Sequence, residues 1–251
     1  MMSKESCKMD MCNGPVLQKV IAFSLPLMLS SCLQLLFNAA DVIVVGRFAG
    51  STSLAAVGST TELLSLLTTL FIGFSIGANV NVARTLGNQD DQGTKDGIHT
   101  AVSVSILSGS AMILLGFLFG RPMLQWMGTP ADVIDKASLY LMIIFIGMPS
   151  NMAYNFGSAI LRAMGDTKRP LYFLSAAGVL NVILNLIFVI VLHMDVAGVA
   201  LATILSETLS AVLILNCLCG QTAPVTEHPK AVYSERSVDP HAADRAASRN
   251  P

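Results

Sequence analysis

The chain has 251 residues, 53% of them hydrophobic and 12% charged, and a net charge of −1 at pH 7. With a mean hydropathy of +0.64 and a charged fraction well below the roughly 25% usual in soluble domains, it is too apolar for a water-soluble globular fold. Net charge says little about partners, but no basic stripe supports a nucleic-acid-binding surface.

Charged residues bound six apolar runs, at 20–40, 63–83, 97–120, 137–161, 170–194 and 196–219, the last broken only by Glu207. Each has about the 20 residues that cross a hydrocarbon core of roughly 30 Å as a helix. The expected fold is therefore an all-α polytopic membrane protein: a short cytoplasmic segment over 1–15, six transmembrane helices within 16–219, and a tail over 220–251. The first run is longer than the apolar region of about 7 to 15 residues in a signal peptide, so it is expected to be retained.

In helix 1, Ser31, Gln34, Asn38 and Asp41 follow one another at spacings of three, four and three, which aligns them on one helical face. An ionised Asp at bilayer depth costs about 2.5 to 3.5 kcal/mol, so it normally faces a cavity or partner and marks an ion path. Two readings of Asp41 stand: part of such a path, or a residue near the outer interface that ends the helix. Pro26 removes a backbone hydrogen bond in the cytoplasmic half and is expected to kink helix 1.

Gly73 and Gly77 in helix 2, and Gly116 and Gly120 in helix 3, have the four-residue spacing that lets helix backbones approach, and are expected to pack against neighbours. Glu62 is expected at the outer interface. The connections 87–93 and 165–170 are polar turns. Helix 4 aligns Asn151, Asn155, Ser158 and Arg162, which serve either packing or function, and helix 5 carries Asn181 and Asn185 one turn apart. His193 and Asp195 belong at the outer rim, whereas Glu207, halfway along helix 6, is a weaker candidate for a buried titratable group. Beyond Cys219 the chain turns rich in Ala, Pro, Ser and mixed charges and is expected to be disordered.

Lys4, Lys8, Lys19, Arg84, Lys95, Arg162, Lys168 and Arg169 fall on one side, against Arg47, Arg121 and Lys136 on the other. The positive-inside rule then places both termini in the cytoplasm. Cys7, Cys12, Cys32, Cys217 and Cys219 lack metal or redox spacing. No loop has the Gly-rich pattern that cradles nucleotide phosphates, and no nucleophile, base or metal cluster suggests an enzyme. Transport by such a chain would draw on an ion gradient.

Several motifs together carry a family resemblance. Asn38-Ala-Ala-Asp41-Val-Ile-Val-Val-Gly46-Arg47 is followed by Leu54-Ala-Ala-Val-Gly58, Gly77-Ala-Asn-Val80 and Ala83-Arg-Thr-Leu-Gly87. Arg162-Ala-Met-Gly-Asp166-Thr-Lys-Arg-Pro170, Asn181-Val-Ile-Leu-Asn185 and Gly198-Val-Ala-Leu-Ala-Thr203 come next. In this order the chain resembles the multidrug and toxic compound extrusion (MATE) transporters from about Gly14 to Leu218.

The resemblance implies a multi-pass protein of the cell membrane, a cation-coupled antiporter that exports small organic cations or drugs in exchange for H⁺ or Na⁺, with no other cofactor. It implies a coupling site at Asp41, Tyr140, Asn181 and Thr203, and matches Pro26 to the helix 1 proline of some members. Where some members carry a second acid on helix 5, this chain has Asn185. Na⁺ is then expected at oxygens of Asp41, Asn181 and Asn185, with Thr203, or a proton on Asp41. MATE proteins resemble two six-helix lobes related as parallel repeats, and this chain supplies one. A second lobe or a homodimer would complete the cavity, and the abrupt polar tail resembles a truncation or altered reading frame. Two alternatives are a non-transporting fragment of such an exporter and a flippase for lipid-linked oligosaccharides. The flippase would need basic residues in its cavity, and the helices offer little beyond Arg162.

Overall fold

The computed structural model describes residues 16–88 and 90–222. Cys7, Cys12 and the segment 223–251 lie outside the described residues, so the structure bears on neither the amino-terminal segment nor most of the tail. Six α-helices follow in order: α1 (Val16–Phe48), α2 (Ser51–Gly87), α3 (Asp91–Trp126), α4 (Ile134–Ala163), α5 (Lys168–Asn185) and α6 (Asp195–Thr222). A π-helical segment, Leu186–Val191, extends α5. All six spans are long and apolar enough to cross a membrane, and the protein is an all-α polytopic membrane protein with no strand among the described residues.

The apolar window of α4 is 56% buried and that of α1 only 6%, so α4 forms the centre of the bundle and α1 its edge. α4 packs against α2, α3 and α6, and α5 lies against α1 and α6. The core gathers Leu141, Phe145, Met152, Phe156 and Ile160 of α4 with Met112 and Leu124 of α3 and Ile214 of α6.

The expected glycine packing holds on one helix and fails on the other. A Cβ at Gly116 would lie 2.1 Å from the Phe145 ring and one at Gly120 would lie 3.1 Å from Leu141, so α3 sits tightly on α4. Gly73 and Gly77, by contrast, are exposed and have no neighbour among the described residues within 4 Å of where a Cβ would stand. Their spacing permits close approach, but they lie on a face of α2 that this lobe leaves uncovered.

α1 passes through Pro26 without interruption, and the Ser30 hydroxyl donates to the Pro26 carbonyl at 2.8 Å. The carboxyl end of α6 reaches Thr222, so residues 220–222, expected within the tail, are helical. α4 ends in a Schellman motif: Gly165, at φ +79°, donates to the Arg162 carbonyl at 3.0 Å, and Asp166 N–H to Leu161 at 2.9 Å. Asp166, fully buried, then accepts the Arg169 backbone N–H and pairs with its guanidinium, both at 3.1 Å. Arg169 also reaches Cys217 on α6 at 3.4 Å.

At the opposite end of the bundle Lys136 of α4 pairs with Asp195 of α6 and donates to Ser53 of α2 at 2.9 Å. Both charged groups are about a third exposed, so the pair contributes only about 0 to 1 kcal/mol. His193 and Asp195 form the turn there, both with positive φ.

Candidate functional site

A cavity of about 270 Å³ lies among α1, α4, α5 and α6. Its size is just below the range of roughly 300 to 1,000 Å³ common for small-molecule sites. α1 contributes Gln34, Phe37, Asn38 and Asp41, so three members of the polar stripe read from spacing face protein. Ser31, the fourth, is exposed and donates to the Leu27 carbonyl at 3.3 Å.

The position of α1 depends on one close approach. Phe37, one turn before Asp41, packs against α5 where residue 178 has no side chain: a Cβ there would come within 1.9 Å of the ring. Gly178 precedes Asn181 by three residues and Asn185 by seven, so the Phe37 contact brings Asp41 opposite both amides. Gly178→Val is expected to displace α1, at about 1 to 3 kcal/mol for the overpacking. A fall in thermal stability accompanied by weaker ion binding is the outcome that checks it.

The resulting network is continuous. Asn185 Nδ2 donates to Asp41 Oδ1 and, at 3.2 Å, to Asn181 Oδ1. Asn181 Nδ2 donates to Thr203 Oγ1 at 3.5 Å, a long bond, while the Thr203 hydroxyl donates to the Val199 carbonyl at 2.9 Å. Asn185 is fully buried, and its Oδ1 has no hydrogen-bond partner among the described residues. The widened π turn begins at the next residue, a feature often found at functional sites.

Four residues expected at the site, Asp41, Asn181, Asn185 and Thr203, are therefore brought together by α1, α5 and α6. Tyr140 is buried in the α4 core and is not part of the cavity lining, although it lies within electrostatic reach of Asp41 and Glu207. Arg162 does not line the cavity. No group of three or more His, Cys, Asp or Glu side chains gathers among the described residues, so a bound metal here would rest on amide and hydroxyl oxygens with one carboxylate.

The opposite wall came less clearly from the sequence. Asn151, Tyr154 and Asn155 of α4 and Ser206, Glu207 and Ser210 of α6 also line the cavity. The two helix 4 amides line the cavity and also bond within and between helices, Asn155 to Asn151 and Asn151 to Glu207 of α6, so they join both readings, packing and cavity wall. Tyr154, Ser206 and Ser210 were missed. The run Thr203, Ser206, Glu207, Ser210 has helical three- and four-residue spacing, and reading it as a stripe would have found this wall.

The MatE family model matches residues 26–187. A probable multidrug resistance protein of Bacillus subtilis, YpnP, is 34% identical over 202 residues, covering 79% of this chain and 44% of that protein. A solved MATE structure in the bent conformation superposes with a TM-score of 0.78 at 25% identity, covering 90% of this chain and 50% of that one. One in the straight conformation gives 0.67 at 27% identity, covering 82% and 46%. The chain spans less than half the length of the curated relatives it matches. The match extends over more than half of the chain and agrees with the motifs around Asp41 and Asn181, and the chain belongs to the multidrug and toxic compound extrusion family, to which it corresponds as a single six-helix lobe.

Proposed function

We propose that the chain exports small organic cations, drugs among them, across the cell membrane in exchange for H⁺ or Na⁺ acting at Asp41, with both termini cytoplasmic. One observation carries this reading: a carboxylate within a membrane span faces a cavity lined, among the described residues, by no Lys, Arg or His, and an amide holds it in place of a cation. The cost of keeping that charge inside the bilayer is relieved when an ion from solution neutralises it. The name of YpnP, a multidrug resistance protein, supports the substrate class.

Asn185 supplies the switch. With Asp41 ionised, its NH₂ faces the carboxylate. Arrival of H⁺ or Na⁺ favours turning the amide so that Oδ1, the atom without a partner, faces Asp41. It then accepts a hydrogen bond from the protonated Asp41 carboxyl, or ligates Na⁺ alongside Asp41, Asn181 and Thr203 oxygens. The link between α1 and α5 is thereby remade, as a hydrogen bond of reversed direction or a shared Na⁺, and α1 bends near Pro26 as that contact changes. One charge moving across 100 mV changes the balance by about 2.3 kcal/mol, close to fifty-fold.

A second six-helix lobe, or a second copy of the chain, completes the pathway in this reading. It faces α1 and α2, the two spans with the least buried apolar windows, and covers Gly73 and Gly77. A flippase for lipid-linked oligosaccharides has less support, because the cavity lining has no basic side chain to meet a diphosphate.

The test is reconstitution of the full chain in liposomes, with ethidium movement followed under an imposed pH or Na⁺ gradient. Movement that depends on either gradient is expected. None under any gradient, from folded protein, would favour the non-transporting alternative. Asn185→Asp, which restores a second acid, is expected to tighten Na⁺ binding at least tenfold, about 1.4 kcal/mol. Equilibrium binding of radioactive sodium measures the change, and unaltered affinity would place Asn185 outside the ion site.

A further inference from the structure

The cavity holds a second carboxylate that the coupling mechanism does not use. Glu207 faces it from α6, one turn beyond Thr203, and its Oε1 accepts from Asn151 Nδ2 at 2.8 Å. The direction of that amide is set in turn, because Asn155 Nδ2 donates to Asn151 Oδ1 at 2.9 Å. The three-residue relay aims a donor at Glu207 and leaves Oε2 with no hydrogen-bond partner among the described residues. Neither Glu207 nor Asp41 takes part in an ion pair there.

The rest of the wall favours positive charge. The Thr203, Ser206 and Ser210 hydroxyls each donate to a carbonyl of their own helix, Val199, Thr203 and Glu207, at 2.8 to 2.9 Å. Their hydrogens are committed, so what remains toward the cavity is oxygen lone pairs. Phe37 and Tyr154 add aromatic rings, whose faces attract organic cations. Asn185, buried with Oδ1 unpartnered, gives a further acceptor beside Asp41.

We infer that Glu207 is the residue that binds the positive charge of the exported molecule, selecting lipophilic monocations such as quaternary ammonium or phosphonium ions, while Asp41 takes the coupling ion. This assignment rests on the coupling role proposed for Asp41. Two carboxylates share a cavity whose lining has no basic side chain, and exchange gives each its own cation in turn, the organic one at Glu207 on the way out and the coupling ion at Asp41 on the way in. Neutral and anionic molecules of the same shape gain nothing from Glu207 and are disfavoured by it.

The test uses two probes of the same shape and opposite charge, tetraphenylphosphonium and tetraphenylborate, bound at equilibrium to the full chain in lipid nanodiscs. Glu207→Gln is expected to weaken phosphonium binding at least about tenfold, the scale of a lost buried charge partner, and to improve relative borate binding. Glu207→Asp, which keeps the charge but shortens its reach, is expected to fall between the two and serves as the informative variant should Glu207→Gln not fold. Equal weakening of both probes would mean that Glu207 only supports the wall, and unchanged phosphonium affinity would mean that it does not meet the substrate; either overturns the inference. Failure of the coupling role is separately visible, as ion binding that persists in Asp41→Asn.

Discussion

Asp41→Asn is expected to abolish gradient-driven export while leaving the lobe folded. The substitution keeps the volume and one acceptor oxygen but removes the charge that an incoming ion neutralises. The amide network of Asn185, Asn181 and Thr203 persists, because an Asn at 41 still accepts from Asn185. Loss of one carboxylate from an ion site is expected to weaken ion binding by at least about a hundredfold, near 2.7 kcal/mol. Liposome assays with an imposed pH or Na⁺ gradient measure it, with a monodisperse elution profile as the folding control. Coupling that survives in the variant would remove Asp41 from the mechanism.

The second large effect concerns stability. Arg169→Ala leaves Asp166, fully buried, without its guanidinium and is expected to cost about 3 to 5 kcal/mol, the usual penalty for breaking a buried pair from one side. The α4–α5 turn loses its anchor to α6 at Cys217 as well. Thermal unfolding monitored by loss of monodisperse protein reads the drop. Replacing both residues with Leu should recover most of it, because the buried carboxylate and its half-buried partner leave together. A single Arg169→Ala variant as stable as the parent would show that Asp166 finds another way to be satisfied. The contrast with Lys136 and Asp195 is one of solvent: that pair is about a third exposed, and water screens much of what the charges would otherwise gain.

The six spans were legible in the sequence because crossing a bilayer imposes length and apolarity locally, run by run. The stripe on α1 was legible for a related reason: residues at helical spacing share a face whatever the helix packs against, and Gln34, Asn38 and Asp41 do face the cavity. Periodicity gave no means of telling which glycines meet a neighbour. Gly73 and Gly77 carry the same spacing as Gly116 and Gly120, yet only the latter pair meets side chains from α4. Similarly, Gly178 has no motif of its own, and its role depends on a phenyl ring contributed by a different helix.

The sequence by itself determined the class of protein, the number of crossings and the candidate ion carboxylate, since each of these follows from hydropathy, charge and helical period along one segment. Only the tertiary structure decided that Asp41 meets Asn185, 144 positions away, that Tyr140 lies in the core while Tyr154 lines the cavity, and that Asn155 and Asn151 aim a donor at Glu207. The physical reason is that side chains meet through helix packing, which is set by the sum of many small close contacts between segments, and no single segment contains that sum.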